Sequence, residues 1–186
     1  MKIQMLIGAA LTLVVSAHQP VIYLIRHAEK NDDGTLSEKG LARAKCIENI
    51  FGKDSEYNIQ KIITQEVWPG DSWWDRTSQR PYNTTLPLAQ SLNQTIETEC
   101  SFYNIICAEE EIRRYDGPGN VLVGWEHVTL SFIAFALTGK FHAYPSDRFD
   151  LIYKLEYPYD KITLSSEKCS SPDLGNRHHA RNFHAI

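Results

Sequence analysis

The segment Val21-Ile22-Tyr23-Leu24-Ile25-Arg26-His27 constrains this chain more than any other. Five successive apolar residues with no polar alternation read as a strand covered on both faces. The run stops on Arg26-His27, a pair that a core strand would not bury without a purpose. At the carboxyl end of a buried strand, the pair falls in the crevice where an open α/β sheet takes its ligand. An imidazole beside a guanidinium in that position suits attack on phosphorus, with the guanidinium gripping the phosphate.

The pattern recurs. Asn120-Val121-Leu122-Val123-Gly124-Trp125 is a second buried strand, and it ends on Glu126-His127. If the two strands are parallel neighbours, His27 and His127 meet at one edge of the sheet. Between them, Thr35-Leu36-Ser37-Glu38 can form a capping box, and Leu41, Ala44, Ile47 and Phe51 follow as one buried helical stripe. Residues 59–64 read as a strand. A helix begins near Ser78-Gln79-Arg80-Pro81 and runs toward Leu92, with Pro87 a candidate break. Residues 96–99 read as a short strand, 108–115 as a charged surface helix and 128–137 as an apolar helix. Residues 150–156 and 161–166 read as two more strands joined by a Tyr-Pro-Tyr-Asp turn. Strands alternating with helices predict a single α/β domain over residues 19–169, doubly wound, with a mostly parallel central sheet flanked by helices.

The 186 residues suffice for one full core, and a net charge of −4 with no run of like charge argues against a nucleic-acid partner. Lys2 followed by the apolar stretch Ile3–Val15 and the small residues before Ala17 reads as a signal peptide over residues 1–17. The stretch is too short to span a bilayer comfortably, so no membrane association is expected once it is removed. All four cysteines follow it. Three pairings are possible; Cys100 and Cys107 are close enough to staple a loop, which leaves Cys46 with Cys169. Export also makes Asn83-Thr84-Thr85 and Asn93-Gln94-Thr95 glycan acceptors, Asn93 being favoured because Asn83 lies one helical turn from Arg80. The polar residues 170–186, including His178, His179 and His184, read as a disordered tail rather than a metal cluster.

Arg26 and Arg80 with His27 and His127 make a cationic pocket sized for a phosphoryl group. With these residues in this order, the chain resembles the histidine phosphatase superfamily, the phosphoglycerate mutase-like proteins. Arg26-His27-Ala28 resembles the family's Arg-His-Gly motif, Arg80 with the following Thr84-Thr85 its second arginine, and His127 its second histidine. The strings Gly119–His127 and Tyr157–Ile162 resemble an uncharacterised fungal branch. The resemblance implies a metal-independent phosphomonoesterase without cofactor, acting on a small phosphate ester. In it His27 is the nucleophile of a phosphohistidine intermediate, Arg26 and Arg80 bind phosphate, and His127 donates to the phosphoryl oxygens. A non-catalytic phosphate binder and a phosphomutase are the competing readings. Ala28 in place of glycine is expected to hinder turnover only if its backbone needs positive φ or must touch the phosphate. Glu126, beside His127, is the candidate carboxylate for the leaving group. Glu66 is a second candidate, and Glu109 to Glu111 read better as a solvated helix face. Glu29 and Lys30 read as an electrostatic brace, and Trp68, Trp73 and Trp74 as a lid or as loop packing.

Overall fold

The computed structural model describes residues 19–67 and 79–169. The leader, the three loop tryptophans and the histidine-bearing tail lie outside the described residues. Six strands form one sheet: β1 (Ile22–Arg26), β2 (Ile59–Gln65), β3 (Ile96–Cys100), β4 (Asn120–Trp125), β5 (Leu151–Leu155) and β6 (Thr163–Ser166). Their spatial order is β3-β2-β4-β1-β5-β6. The first four strands pair in parallel, while β5 and β6 add antiparallel at one side. The expected α/β architecture is therefore found, with a mixed edge.

Alternation along β1 distributes its side chains to two cores. Tyr23 and Ile25 join Ile62 and Leu122 against Ile47 and Phe51 of α1 (Glu38–Phe51) and Leu88 of α2 (Gln79–Leu92). Ile22 and Leu24 join Val121 and Val123 against Ile112 of α3 (Ile105–Arg114) and Leu130 and Ile133 of α4 (His127–Thr138). Helices thus cover both faces, which is why β1 and β4 carry no polar alternation.

Local chemistry moved several boundaries. Ser37, not Thr35, caps α1, its hydroxyl accepting from Gly40 N at 3.1 Å. The Thr35 hydroxyl instead donates to Asp33 within the preceding turn. Leu41, expected in the buried stripe, is 59 % exposed, and Gly40 and Arg43 turn inward in its place. Pro87 does not interrupt α2. It removes one intrahelical bond, but Thr84, Thr85, Leu88 and Ala89 hold that stretch buried against the sheet. α3 starts three residues earlier than expected because the Asn104 side chain accepts from Cys107 N and caps it.

Both disulfides pair as expected, Cys46–Cys169 with Cα atoms 5.8 Å apart and Cys100–Cys107 with 5.7 Å. The first ties the end of the domain to α1; the second closes the turn between β3 and α3.

The contact between α1 and the segment after β1 leaves no room for a side chain. A Cβ added at Gly40 would lie 2.1 Å from the backbone oxygen of Glu29. The Gly40→Ala variant is expected to lose ~2–3 kcal/mol of stability, read by urea unfolding; unchanged stability would show that α1 can be displaced at no cost.

Candidate active site

β1 and β4 are adjacent, parallel and in register, with Arg26 opposite Trp125. The pairing extends one residue further, where His27 N donates to the Trp125 carbonyl at 3.0 Å. Both chains leave the sheet at the same end: β1 into His27, β4 into the first turn of α4 at His127. α2 begins at the same end, so Arg80 is delivered there too. Its close approach depends on Gly124 of β4, where an added Cβ would meet the Thr85 methyl at 3.1 Å. The four expected pocket residues are thereby brought together: Arg80, Arg26 and His127 all act electrostatically on His27.

His27 is 2 % exposed. Its Nδ1 lies 2.7 Å from the Ala28 carbonyl oxygen. A carbonyl only accepts, so Nδ1 carries the proton and Nε2 keeps its lone pair. Burial, with the fields of Arg80, Arg26 and His127, depresses the imidazole to about 3. His27 is therefore neutral throughout the physiological range.

Ala28 fits without strain: its φ is not positive, and its methyl is packed with Leu36 and Ala44. The positive φ at which alanine would hinder this position is absent. Ala28 N donates to Thr84 Oγ1 at 2.9 Å, and that hydroxyl donates to the Arg80 carbonyl at 2.8 Å. Thr84 thus couples the backbone just after His27 to the start of α2.

Arg26 is held from the side the sequence left unread. Its Nη1 donates to the carbonyls of Ser146 and Arg148 at 2.7 and 2.8 Å, and the guanidinium carbon lies 3.8 Å over the Phe149 ring. Because β5 runs antiparallel to β1, the chain entering β5 lies where β1 ends. Both Nη1 hydrogens are engaged, whereas Nε is buried with no protein partner. The edge formed by Nε and Nη2 remains for a bidentate oxyanion.

Glu126 is the N-cap of α4. Its Oε2 accepts from Val128 N and Thr129 N at 2.9 and 3.1 Å, and Oε1 lies 2.5 Å from His127 Nδ1. Oε2 is thus taken up by the two amides of α4, and Oε1 stands at ion-pair distance from the His127 imidazole. Burial and the arginines lower the His127 imidazole, and Glu126 opposes them. Glu66 accepts from the Ser101 hydroxyl at 2.9 Å. Glu109 pairs with Arg113 and Glu111 with Arg114 on the surface of α3, as a solvated face does.

Glu29 is the expected brace, within a buried network that the sequence did not disclose. Arg43 donates from Nε and Nη2 to the two Glu29 oxygens at 2.9 and 2.8 Å and from Nη1 to Glu167 at 2.6 Å. Burial alone would raise the Glu29 carboxyl; the Arg43 bonds outweigh it and hold it below its ordinary range. Glu167 is pushed up to about 8, chiefly by burial. At neutral pH the network therefore holds one carboxylate, one guanidinium and one carboxylic acid. Lys30 is exposed and outside it.

No protein-family model matches the chain, and no curated protein matches it. Solved structures do. A protein assigned as the phosphohistidine phosphatase SixA of Agrobacterium tumefaciens aligns over 80 % of this chain and 99 % of its own, with a TM-score of 0.56 and 19 % identity. The protein histidine phosphatase SixA in complex with tungstate aligns over 79 % and 97 %, at 0.52 and 15 %. A phosphoserine phosphatase of Entamoeba histolytica, in complex with 3-phosphoglyceric acid, aligns over 79 % and 95 %, at 0.53 and 11 %. The chain has the phosphoglycerate mutase-like fold of these histidine phosphatase superfamily members.

Glu167 offers a check on the buried network. A carboxyl whose folded pKa is raised contributes fully below its unfolded value near 4.5, and that contribution is lost as pH rises through about 8. Glu167→Gln cannot ionise, so it is expected to stabilise the protein on the order of 1–2 kcal/mol at pH 9 and to be neutral at pH 4.5. Thermal unfolding at both pH values measures it; a pH-independent difference would contradict the protonated state.

Proposed function

We propose that this protein is an exported, metal-independent phosphomonoesterase that works through a phosphohistidine on His27. The observation that carries the reading is the tautomer of His27. The Ala28 carbonyl fixes the proton on Nδ1, and burial between two arginines keeps Nε2 unprotonated. The Nε2 lone pair forms the N–P bond as the ester P–O bond breaks, and the leaving oxygen takes its proton from solvent water. Water then attacks phosphorus, the P–N bond breaks, and inorganic phosphate leaves with Nε2 restored. The free edge of Arg26, together with Arg80, neutralises the phosphoryl oxygens. The Glu126 carboxylate, 2.5 Å from His127 Nδ1, favours the charged imidazolium. An arriving dianion offsets the arginine charges that lower His127, so that it binds a proton and donates. Two built-in guanidiniums supply the charge that phosphoryl transfer otherwise draws from a metal ion. The packing of Ala28 disfavours the non-catalytic alternative.

Export is supported by the amino-terminal segment and by two disulfides that need an oxidising compartment. Among the described residues, no helix is long and apolar enough to cross a membrane. Asn93 is exposed just beyond the far end of α2 from Arg80, while Asn83 is half-buried one turn after it. A glycan on Asn93 leaves the pocket open. Expression through a secretory pathway should give one glycosidase-sensitive species, lost in Asn93→Gln and kept in Asn83→Gln; the reverse would overturn this assignment.

The test is hydrolysis of p-nitrophenyl phosphate by the purified protein, its His27→Ala variant and chelator-treated samples. Wild type should turn over with chelator present, and His27→Ala should lose at least ~10²-fold. Equal inertness of both proteins would refute the enzyme, and loss on chelation the metal-free chemistry. Because His27 stays neutral down to about 3, kcat/KM corrected for substrate ionisation should not fall from pH 7 to pH 5. A nucleophile at the ordinary histidine value would fall about 25-fold over that range.

A further inference from the structure

Gln65, the last residue of β2, is 0 % exposed and carries an unsatisfied donor. Its Oε1 accepts from Glu126 N at 3.2 Å. That bond fixes the orientation of the amide, since the flipped form would set an NH2 group against an N–H. Nε2 is therefore the atom turned away from Glu126, and it is buried with no hydrogen-bond partner. Buried donors are rarely left in this state, and those that are need an explanation.

The location supplies one. β2, β4 and β1 are consecutive in the sheet, so Gln65, Glu126-His127 and Arg26-His27 stand side by side at one sheet end. Gln65 grips the backbone of Glu126, the residue whose charge is felt by both Arg26 and Arg80. Arg26 Nε is a second buried donor without a protein partner at the same end. Two unsatisfied donors at one sheet end, beside a nucleophile with a free lone pair, are arranged for an oxyanion.

We propose that Gln65 is a further catalytic residue, its Nε2 donating to a phosphoryl oxygen beside the arginines. The assignment rests on the phosphate-site reading of Arg26, His27, Arg80 and His127. A neutral amide adds a donor without adding charge, and its protonation does not change with pH. It needs no reorganisation either, because Glu126 N already holds the amide in place. Such a donor strengthens its bond as charge develops on the oxygens, so its removal is felt in turnover as well as in binding.

Gln65→Met keeps the side chain's length and apolar packing and removes the amide. Tungstate, the oxyanion held by one structural neighbour, serves as the binding probe in calorimetry. Gln65→Met should weaken tungstate about tenfold and lower kcat on p-nitrophenyl phosphate about 10²-fold. Its thermal midpoint should fall by no more than a few degrees, because removal of the unsatisfied Nε2 offsets the bond from Glu126 N that is lost with Oε1. Gln65→Glu, which replaces the donor by an acceptor, should bind tungstate more weakly still. A direct readout is the Gln65 side-chain NH2 pair in ¹H–¹⁵N spectra, assigned by its absence in Gln65→Met, which should shift downfield on tungstate addition.

Wild-type binding and turnover retained in Gln65→Met would overturn the role of Gln65 and leave the phosphate site standing. So would an NH2 pair that does not move when tungstate binds. A loss of activity that only parallels a loss of folding, with tungstate affinity of the folded fraction unchanged, would make Gln65 structural. Failure of the wild-type protein to bind tungstate at all would instead overturn the phosphate-site reading on which the assignment rests.

Discussion

Everything at this site hangs from the parallel pairing of β1 with β4, carried past the strands by the bond from His27 N to the Trp125 carbonyl. It sets two histidines from distant parts of the chain at one edge, and it fixes the backbone of the first. Once that backbone is fixed, the Ala28 carbonyl meets Nδ1 and the Thr84 hydroxyl meets Ala28 N. Secondary structure here determines a tautomer, and the tautomer determines which nitrogen is available for chemistry. The strand pairing is held by two cores of aliphatic side chains, one on each face, so the site inherits the rigidity of the domain's best-packed region.

Charge is the second organising feature. Two arginines in a buried pocket repel each other and lose hydration, and the same burial lowers both guanidiniums below their ordinary value. The fold offsets this with the carboxylate of Glu126, two backbone carbonyls and an aromatic face on Arg26. It leaves other donors unmet. A dianionic phosphate, the ligand proposed for this site, would satisfy those donors and neutralise the arginines. Beneath it, Glu29, Arg43 and Glu167 form a separate charge-balanced network, joined to the carboxyl-terminal strap by the Cys46–Cys169 disulfide.

The parts legible in the sequence were those written in runs and spacings. Continuous apolar stretches gave β1 and β4, and their abrupt polar ends gave His27 and His127. Cysteine spacing pointed to the Cys100–Cys107 bridge and, by remainder, to Cys46–Cys169. What escaped depends on where distant backbone arrives. Ser146, Arg148 and Phe149 belong to an irregular segment with no periodicity, and only the antiparallel course of β5 brings them to Arg26. Gln65 fell just past the strand read over residues 59–64, at the start of a polar loop, and an unsatisfied amide has no sequence signature. Arg43 sat in a helix whose stripe was assigned to Leu41; the close contact of Gly40 with Glu29 rotates α1 so that Leu41 faces out and Arg43 in. The niche that takes the Ala28 methyl, beside Leu36 and Ala44, is likewise built from residues that lie apart in sequence.

The central claim, that His27 attacks through Nε2, is tested most directly by trapping the intermediate. Rapid alkaline quench during turnover of an aryl phosphate, followed by peptide mapping and ³¹P spectroscopy, locates the phosphoryl group. The Nδ1 bond to Ala28 predicts phosphate on His27, attached at Nε2 and absent from the His27→Ala variant. Phosphate on Nδ1, on His127, or full turnover with no phosphoenzyme formed would contradict it.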